Sequence, residues 1–127
     1  MFEKLELTRM AQALAAHSGA RMAVIARNVA HADTPGFKAQ DLPSFDRVFA
    51  AESTGMRATR PGHLGASPDG LAMVTERASG REAPNGNTVS LEGEMVKSVE
   101  ARQAHEMALA IYRATSDVVR ASLGRSR

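Results

Sequence analysis

Four histidines, His17, His31, His63 and His105, are the side chains of this 127-residue chain best suited to proton transfer or soft-metal binding at neutral pH. None forms a ligand-spaced pair. His105-Glu106 lacks the second histidine, four residues after the first, that an H-E-x-x-H zinc helix requires. The serines form no Gly-x-Ser-x-Gly elbow, and the glycines form neither a phosphate loop nor a dinucleotide fingerprint. Cysteine is absent, which removes thiol nucleophiles, disulfides, iron–sulfur clusters and zinc–thiolate sites. The sequence therefore predicts no catalytic, cofactor-binding or metal-binding residues, and each histidine reads as a surface or interface side chain.

Charge and composition point away from several other classes. Sixteen Lys and Arg against fourteen Asp and Glu leave +2, with the signs mixed along the chain. That is a weak basis for binding nucleic acid or an anionic membrane. The longest apolar runs, Met22 to Ala26 and Met107 to Tyr112, fall far short of the roughly 20 residues that span a bilayer. Glu3 and Lys4 interrupt any apolar core of signal-peptide type, so the expectation is a cytoplasmic chain or one exported with its N-terminus intact. Apolar residues make up 43%, but 23 of them are alanines, which favour helix and close helix approach while burying little area each.

Any site in this chain has to be positioned by two helices. All five prolines, Pro35, Pro43, Pro61, Pro68 and Pro84, lie in the middle. The chain divides into an N-terminal helix within 1–34, a turn-rich insert over 35–89 and a C-terminal helix within 90–127. Leu7, Ala11, Leu14, Ser18, Met22, Ile25, Val29 and Ala32 recur at spacings of four and three, one helical stripe. Ala104, Met107, Ile111, Ala114, Val118 and Ala121 repeat in the same way, with Met95, Val96 and Val99 leading in on an offset face. The predicted packing residues are Leu14, Met22, Ile25 and Val29 on the first helix and Val99, Met107, Ile111 and Val118 on the second. Ser90 is the expected N-cap of the second helix, with Glu92 and Glu94 at the positive end of its dipole. Glu94 with Lys97, Arg102 with Glu106 and Arg113 with Asp117 read as a solvated face. Within the insert, Ser67-Pro68-Asp69-Gly70 and Asn85-Gly86 are the clearest reversals, and 71–75 reads as a short strand pairing with 56–59. Two helices of about 30 residues cannot cover each other, and Leu5, Met10, Val24, Leu109 and Val119 lie off the stripes, so other copies or partners are expected to cover them.

One segment carries more information than a generic helix stop. In Asn28-Val29-Ala30-His31-Ala32-Asp33-Thr34-Pro35-Gly36-Phe37-Lys38, Pro35 disfavours helix at Thr34 and forms a type II turn with Gly36. Asp33 and Thr34 are placed to bond free backbone groups. The string resembles the N-terminal signature shared by flagellar rod, hook and hook-associated proteins: Asn, aliphatic, Ala, Asn, two variable residues, Thr-Pro-Gly, aromatic, basic. Eight of those nine positions match, and His31 stands where the family has Asn. Three further stretches are similar to the rod subunits: Asp41-Leu42 with Phe45, Thr59-Arg60-Pro61-Gly62-His63-Leu64, and Asn85-Gly86-Asn87-Thr88-Val89 continuing to Glu94-Met95. The last two narrow the likeness to the proximal rod, with Thr88 and Ser90 departing from its usual Asn and Asp.

The resemblance implies a mainly α fold, in which the terminal helices form a coiled-coil domain around a small irregular or β-containing insert. It also implies a structural, non-enzymatic subunit of the flagellar basal-body rod, polymerising through those helices to link the membrane-embedded base to the distal rod and hook. Its implied location is the periplasm, reached by flagellar type III export without a cleaved leader. Its partners would be further copies, neighbouring rod proteins, the junction protein FliE and export-gate components, with no nucleic acid, membrane span or cofactor. The alternative within the family is the neighbouring rod protein FlgC. The alternatives outside it are a small helical nucleic-acid-binding module, which a steep salt dependence of DNA affinity would reveal, and a small helical enzyme.

Overall fold

A computed structural model describes residues 2–54 and 74–124. Two long helices dominate, α1 over Phe2–Ala30 and α3 over Leu91–Ser122. Between them come a two-residue strand β1 (Gln40–Asp41), a helix α2 (Phe45–Thr54) and a second short strand β2 (Glu76–Arg77). The long helices run antiparallel, since Asn28 meets Glu94, Arg21 meets Glu100 and Ala15 meets His105. The fold is mainly helical, with a strand-containing insert, as the pattern predicts.

The seam between α1 and α3 follows a seven-residue period, the spacing that keeps one face of each helix on its neighbour. Ala11, Ser18 and Ile25 are buried on α1, and Glu94, Ala101, Ala108 and Thr115 on α3. Ser18 and Thr115 lie in the seam without an unpaired hydroxyl, because each donates to the carbonyl four residues back, Leu14 and Ile111 respectively. Most buried apolar residues are alanines. The seam is therefore close but buries little area per residue.

On α1 the expected stripe meets α3: Ile25 is buried and Leu14 and Met22 are half-buried, though Val29 stays exposed. On α3 the register within the subunit differs from the expectation. Ala104 and Ile111 border the seam, whereas Met107 (53% exposed) and Val99 (66%) turn outward, and Val118, in the column of Ala104 and Ile111 but near the end of α3, is 47% exposed. The physical reason is that α3 has apolar periodicity on two sides. The smaller-residue side allows the helices to approach most closely, and the larger residues mark the opposite one.

Ser90 caps α3 as expected: its Oγ accepts from Gly93 N–H at 3.3 Å and its carbonyl from Glu94 N–H at 2.8 Å. Gly124 follows the C-terminal end at φ +61°, the left-handed conformation common there. Helix α2 falls inside the stretch read as turns. Its signal was present: Phe45, Val48 and Phe49 share a face, and Ser44 precedes them with a carbonyl that accepts from Arg47 and Val48. Phe45 and Phe49 stack at 5.3 Å, and His17 of α1 meets Phe45 edge-on at 5.8 Å. The expected pairing of 56–59 with 71–75 lies outside the described residues except for Val74 and Thr75, neither of which is in a strand. The described pair is antiparallel, Gln40 opposite Arg77 and Asp41 opposite Glu76.

Candidate functional site: a clasp joining two sequence motifs

The motif at 28–38 and the motif at 85–95, far apart in the chain, dock on each other where α1 ends and α3 begins. After Ala30 the helix tightens into i→i+3 bonds, Ala32 N–H to Val29 O and Thr34 N–H to His31 O. Thr34-Pro35-Gly36-Phe37 then closes as a turn, with Phe37 N–H donating to Thr34 O at 3.3 Å and Gly36 at φ +72°. A positive φ at the third residue of the turn, directly after Pro, is what type II requires. The His31 ring stacks on Phe37 with centroids 4.6 Å apart, and its Nδ1 lies 3.2 Å from Thr34 Oγ1. His31, which stands where the signature has Asn, thus makes a ring-on-ring contact.

The carbonyls freed at the end of α1 are taken by the second motif rather than by the local side chains of Asp33 and Thr34. Asn87, buried at 3% exposure, directs Nδ2 at His31 O, Ala32 O and Thr34 O, at 3.0, 2.7 and 3.0 Å. Two amide hydrogens serve three acceptors, so one bond is shared. Asn87 Oδ1 accepts from Val89 N–H at 2.7 Å, and its own N–H donates to Asn85 Oδ1 at 3.1 Å. The reversal at Asn85-Gly86 sits directly on the other turn. Gly36 N–H donates to Asn85 O at 2.9 Å, and a Cβ on Gly86 (φ +80°) would lie 3.4 Å from Gly36 Cα. Lys38 Nζ completes the contact by donating to Gly86 O at 2.8 Å and to Glu82 Oε1 at 2.7 Å.

Asn28 forms the inner half of the clasp. At 1% exposure it pairs with Gln40 as a strand would, donating from Nδ2 to Gln40 O (2.6 Å) and accepting at Oδ1 from Gln40 N–H (3.1 Å). Its other amide hydrogen reaches Glu94 Oε2 at 3.0 Å, tying α1, β1 and the first turn of α3 together. Glu94, 3% exposed, therefore does not belong to a solvated face. Its Oε1 accepts from Lys97 Nζ at 2.9 Å, and Lys97 extends to Asp41 Oδ2 at 3.4 Å. Asp41 in turn accepts from Arg21 Nε at 3.1 Å. Burial pushes the Asp41 carboxyl up, but the Arg21 hydrogen bond, the Leu42 amide and the charges of Arg21 and Lys97 outweigh it and hold the pKa below the usual value. Burial pushes Lys97 down, and its bonds to Glu94 and Asp41 reverse this and raise it. Arg21 is raised, chiefly by its bond to Asp41.

The clasp thus gathers Asn28, Thr34, Pro35, Gly36, Phe37, Lys38, Asn85, Gly86, Asn87, Val89 and Glu94. Ala30 lies exposed where α1 ends, and Met95 is 67% exposed beyond the clasp on α3. Reasoning from sequence did not assign Arg21 a role and read Lys97 as solvated. The available signal was that Glu94 stands seven residues before Ala101, on the seam's own period. Asp117 pairs with Arg120 at 3.8 Å rather than with Arg113, while Arg102 and Glu106 pair at 3.7 Å as expected.

These polar groups hold backbone. Among the described residues no buried side-chain nitrogen or oxygen lacks a partner, and no cluster of three acidic, histidine or cysteine side chains is placed to hold a metal ion. A cleft of about 280 Å³ beside the seam is lined in part by His17 and Ser18. The His17 ring bonds the Pro43 carbonyl through Nε2 at 2.8 Å and Ser18 donates to Leu14 O, so both side chains are engaged with backbone.

The chain is 32% identical over 116 residues to the flagellar basal body rod protein FlgB of Agrobacterium fabrum (strain C58 / ATCC 33970), in an alignment covering 83% of each chain. No family model matches the chain. With both signature motifs joined in one clasp and this likeness over most of its length, the chain belongs to the FlgB family of flagellar basal-body rod proteins.

Proposed function

We propose that this chain is a subunit of the proximal rod that polymerises through its terminal helices, linking the membrane-embedded base of the flagellum to the distal rod and hook. The observation that carries the reading is the clasp. Two motifs of the rod family meet to fix where α1 stops, where α3 starts and how the two are registered. A hairpin set in this way presents its outer faces in a fixed relation, which a repeating assembly requires. Exposed apolar residues on α3, among them Val96, Val99, Met107 and Val118, supply surface that a monomer has no use for.

Its role is structural, and its partners are further copies, neighbouring rod proteins, FliE beneath the rod and components of the export gate. It works in the periplasm and arrives by the flagellar type III apparatus. Among the described residues no helix is long and apolar enough to cross a membrane. The test is to delete the gene, complement it with a tagged copy and image purified basal bodies. The expected result is basal bodies that stop short of the rod in the deletion strain, with rods restored and tagged at their proximal end on complementation. Normal rods without the gene would overturn the reading.

A further inference from the structure

Helix α3 is apolar on two sides, and only one of them rests on α1. The other carries Val96, Val99 and Met107, 60, 66 and 53% exposed. The side of α1 turned away from the seam is shaped in the opposite sense. Ala16, Ala23 and Ala26 are exposed there, and no atom lies within 4 Å of where a Cβ on Gly19 would sit. A ridge of large side chains on one helix thus corresponds to a smooth face on the other.

Charge follows the same division. Arg21 and Glu100 are engaged with each other within the chain, and Arg102 with Glu106. Arg27 near the end of α1 and Glu92 at the start of α3 are both exposed. They meet only when the helices run antiparallel, the sense the helices already have within the chain. An α3-on-α3 contact would leave the alanine face and Arg27 uncovered.

We infer that the outward ridge of α3 packs antiparallel against the outward alanine face of α1 in a second copy of this chain, with Ala23 opposite Val99 and Arg27 beside Glu92. This rests on the rod-subunit reading and adds which faces meet. The two faces are different surfaces, so each copy keeps one of each free and the contact propagates instead of closing at a dimer.

The chain has no cysteine, so cross-links can be placed without background. Ala23→Cys and Val99→Cys in one chain lie on faces turned away from each other and cannot bridge within it. In cells lacking the unaltered gene, basal bodies carrying this double variant are purified, oxidised mildly and run without reductant. The expected result is a ladder of dimer, trimer and higher species, with neither single variant giving a product alone. Arg27→Glu should lower the yield of trimer about fivefold, and adding Glu92→Arg should restore it. A variant present in basal bodies without a ladder would overturn the interface and leave the rod reading standing. Val99→Cys dimerising alone would overturn it in favour of an α3-on-α3 contact. A chain absent from basal bodies of swimming cells would overturn both.

Discussion

Replacing Asn28 tests whether the clasp, more than the alanine-rich seam, holds the two long helices together. Asn28→Ala removes the bonds to Gln40 O, Gln40 N–H and Glu94 Oε2 and leaves two half-buried backbone groups and one buried carboxylate oxygen short of a partner. Each neutral group left unpaired costs about 1 kcal/mol net, and a bond to a charged group about 1.5 to 3 kcal/mol. Glu94 keeps Lys97, which limits its share. The sum is about 3 to 5 kcal/mol, a large part of the roughly 5 to 15 kcal/mol that holds a typical domain together. Urea unfolding followed by far-ultraviolet circular dichroism should show the midpoint fall accordingly.

Asn28→Asp sharpens the test because it keeps shape and changes only protons. An ionised carboxylate at position 28 would face Gln40 O and Glu94 with like charge, so its folded pKa would rise above the unfolded value. The stability it retains is then fully present below the unfolded pKa, near 4, and is lost as pH rises through the folded pKa. The variant should be more stable at pH 4 than at pH 7, relative to the parent at the same pH. A loss below about 1 kcal/mol in Asn28→Ala, or an Asn28→Asp deficit unchanged by pH, would refute the claim that Asn28 fixes the hairpin.

Gly36→Val places a β-branched residue at φ +72° and should cost about 1 to 3 kcal/mol by urea titration, whereas His31→Asn should be nearly neutral and leave swimming intact. Asp41 has a depressed folded pKa, so its contribution is present above its unfolded value of about 3.8 and is lost as pH falls below it; acid titration of Asp41→Asn should lack that part of the parent's loss. Ala108 is wholly buried, and Ala108→Leu should overpack the seam at a cost of about 1 to 3 kcal/mol in the isolated subunit. Met107→Asp, one residue away on the exposed face, should leave subunit stability within about 0.5 kcal/mol and block entry into basal bodies; incorporation of that variant would show that this face is not used. Hydrogen exchange on dilute protein should find amides protected beside the clasp, at 21–28 and 94–101, and faster exchange toward both distal helix ends, away from the clasp.

How much the sequence determined by itself depends on the range of the interaction concerned. Two long helices with a break at Thr34-Pro35-Gly36, a turn at Asn85-Gly86 and a cap at Ser90 all follow from local rules, because φ limits, missing donors and capping bonds act within a few residues. Helix α2 obeys the same rules and was legible in Phe45, Val48, Phe49 and Ser44, though the density of prolines and glycines around it masked the signal. The α3 register was not legible, since periodicity reports that a helix has apolar sides without saying which side meets which neighbour. Ala101 and Ala108 went inside because closeness of approach, a property of the helix pair, outweighed the size of Met107 and Val99. The clasp lay further out of reach. Each motif could be read as a separate turn, but Asn87 capping α1 and Asn28 holding Glu94 join groups 53 to 66 residues apart. Only the tertiary structure decides that pairing, because a buried amide or carboxylate is stable only beside partners that distant parts of the chain bring to it.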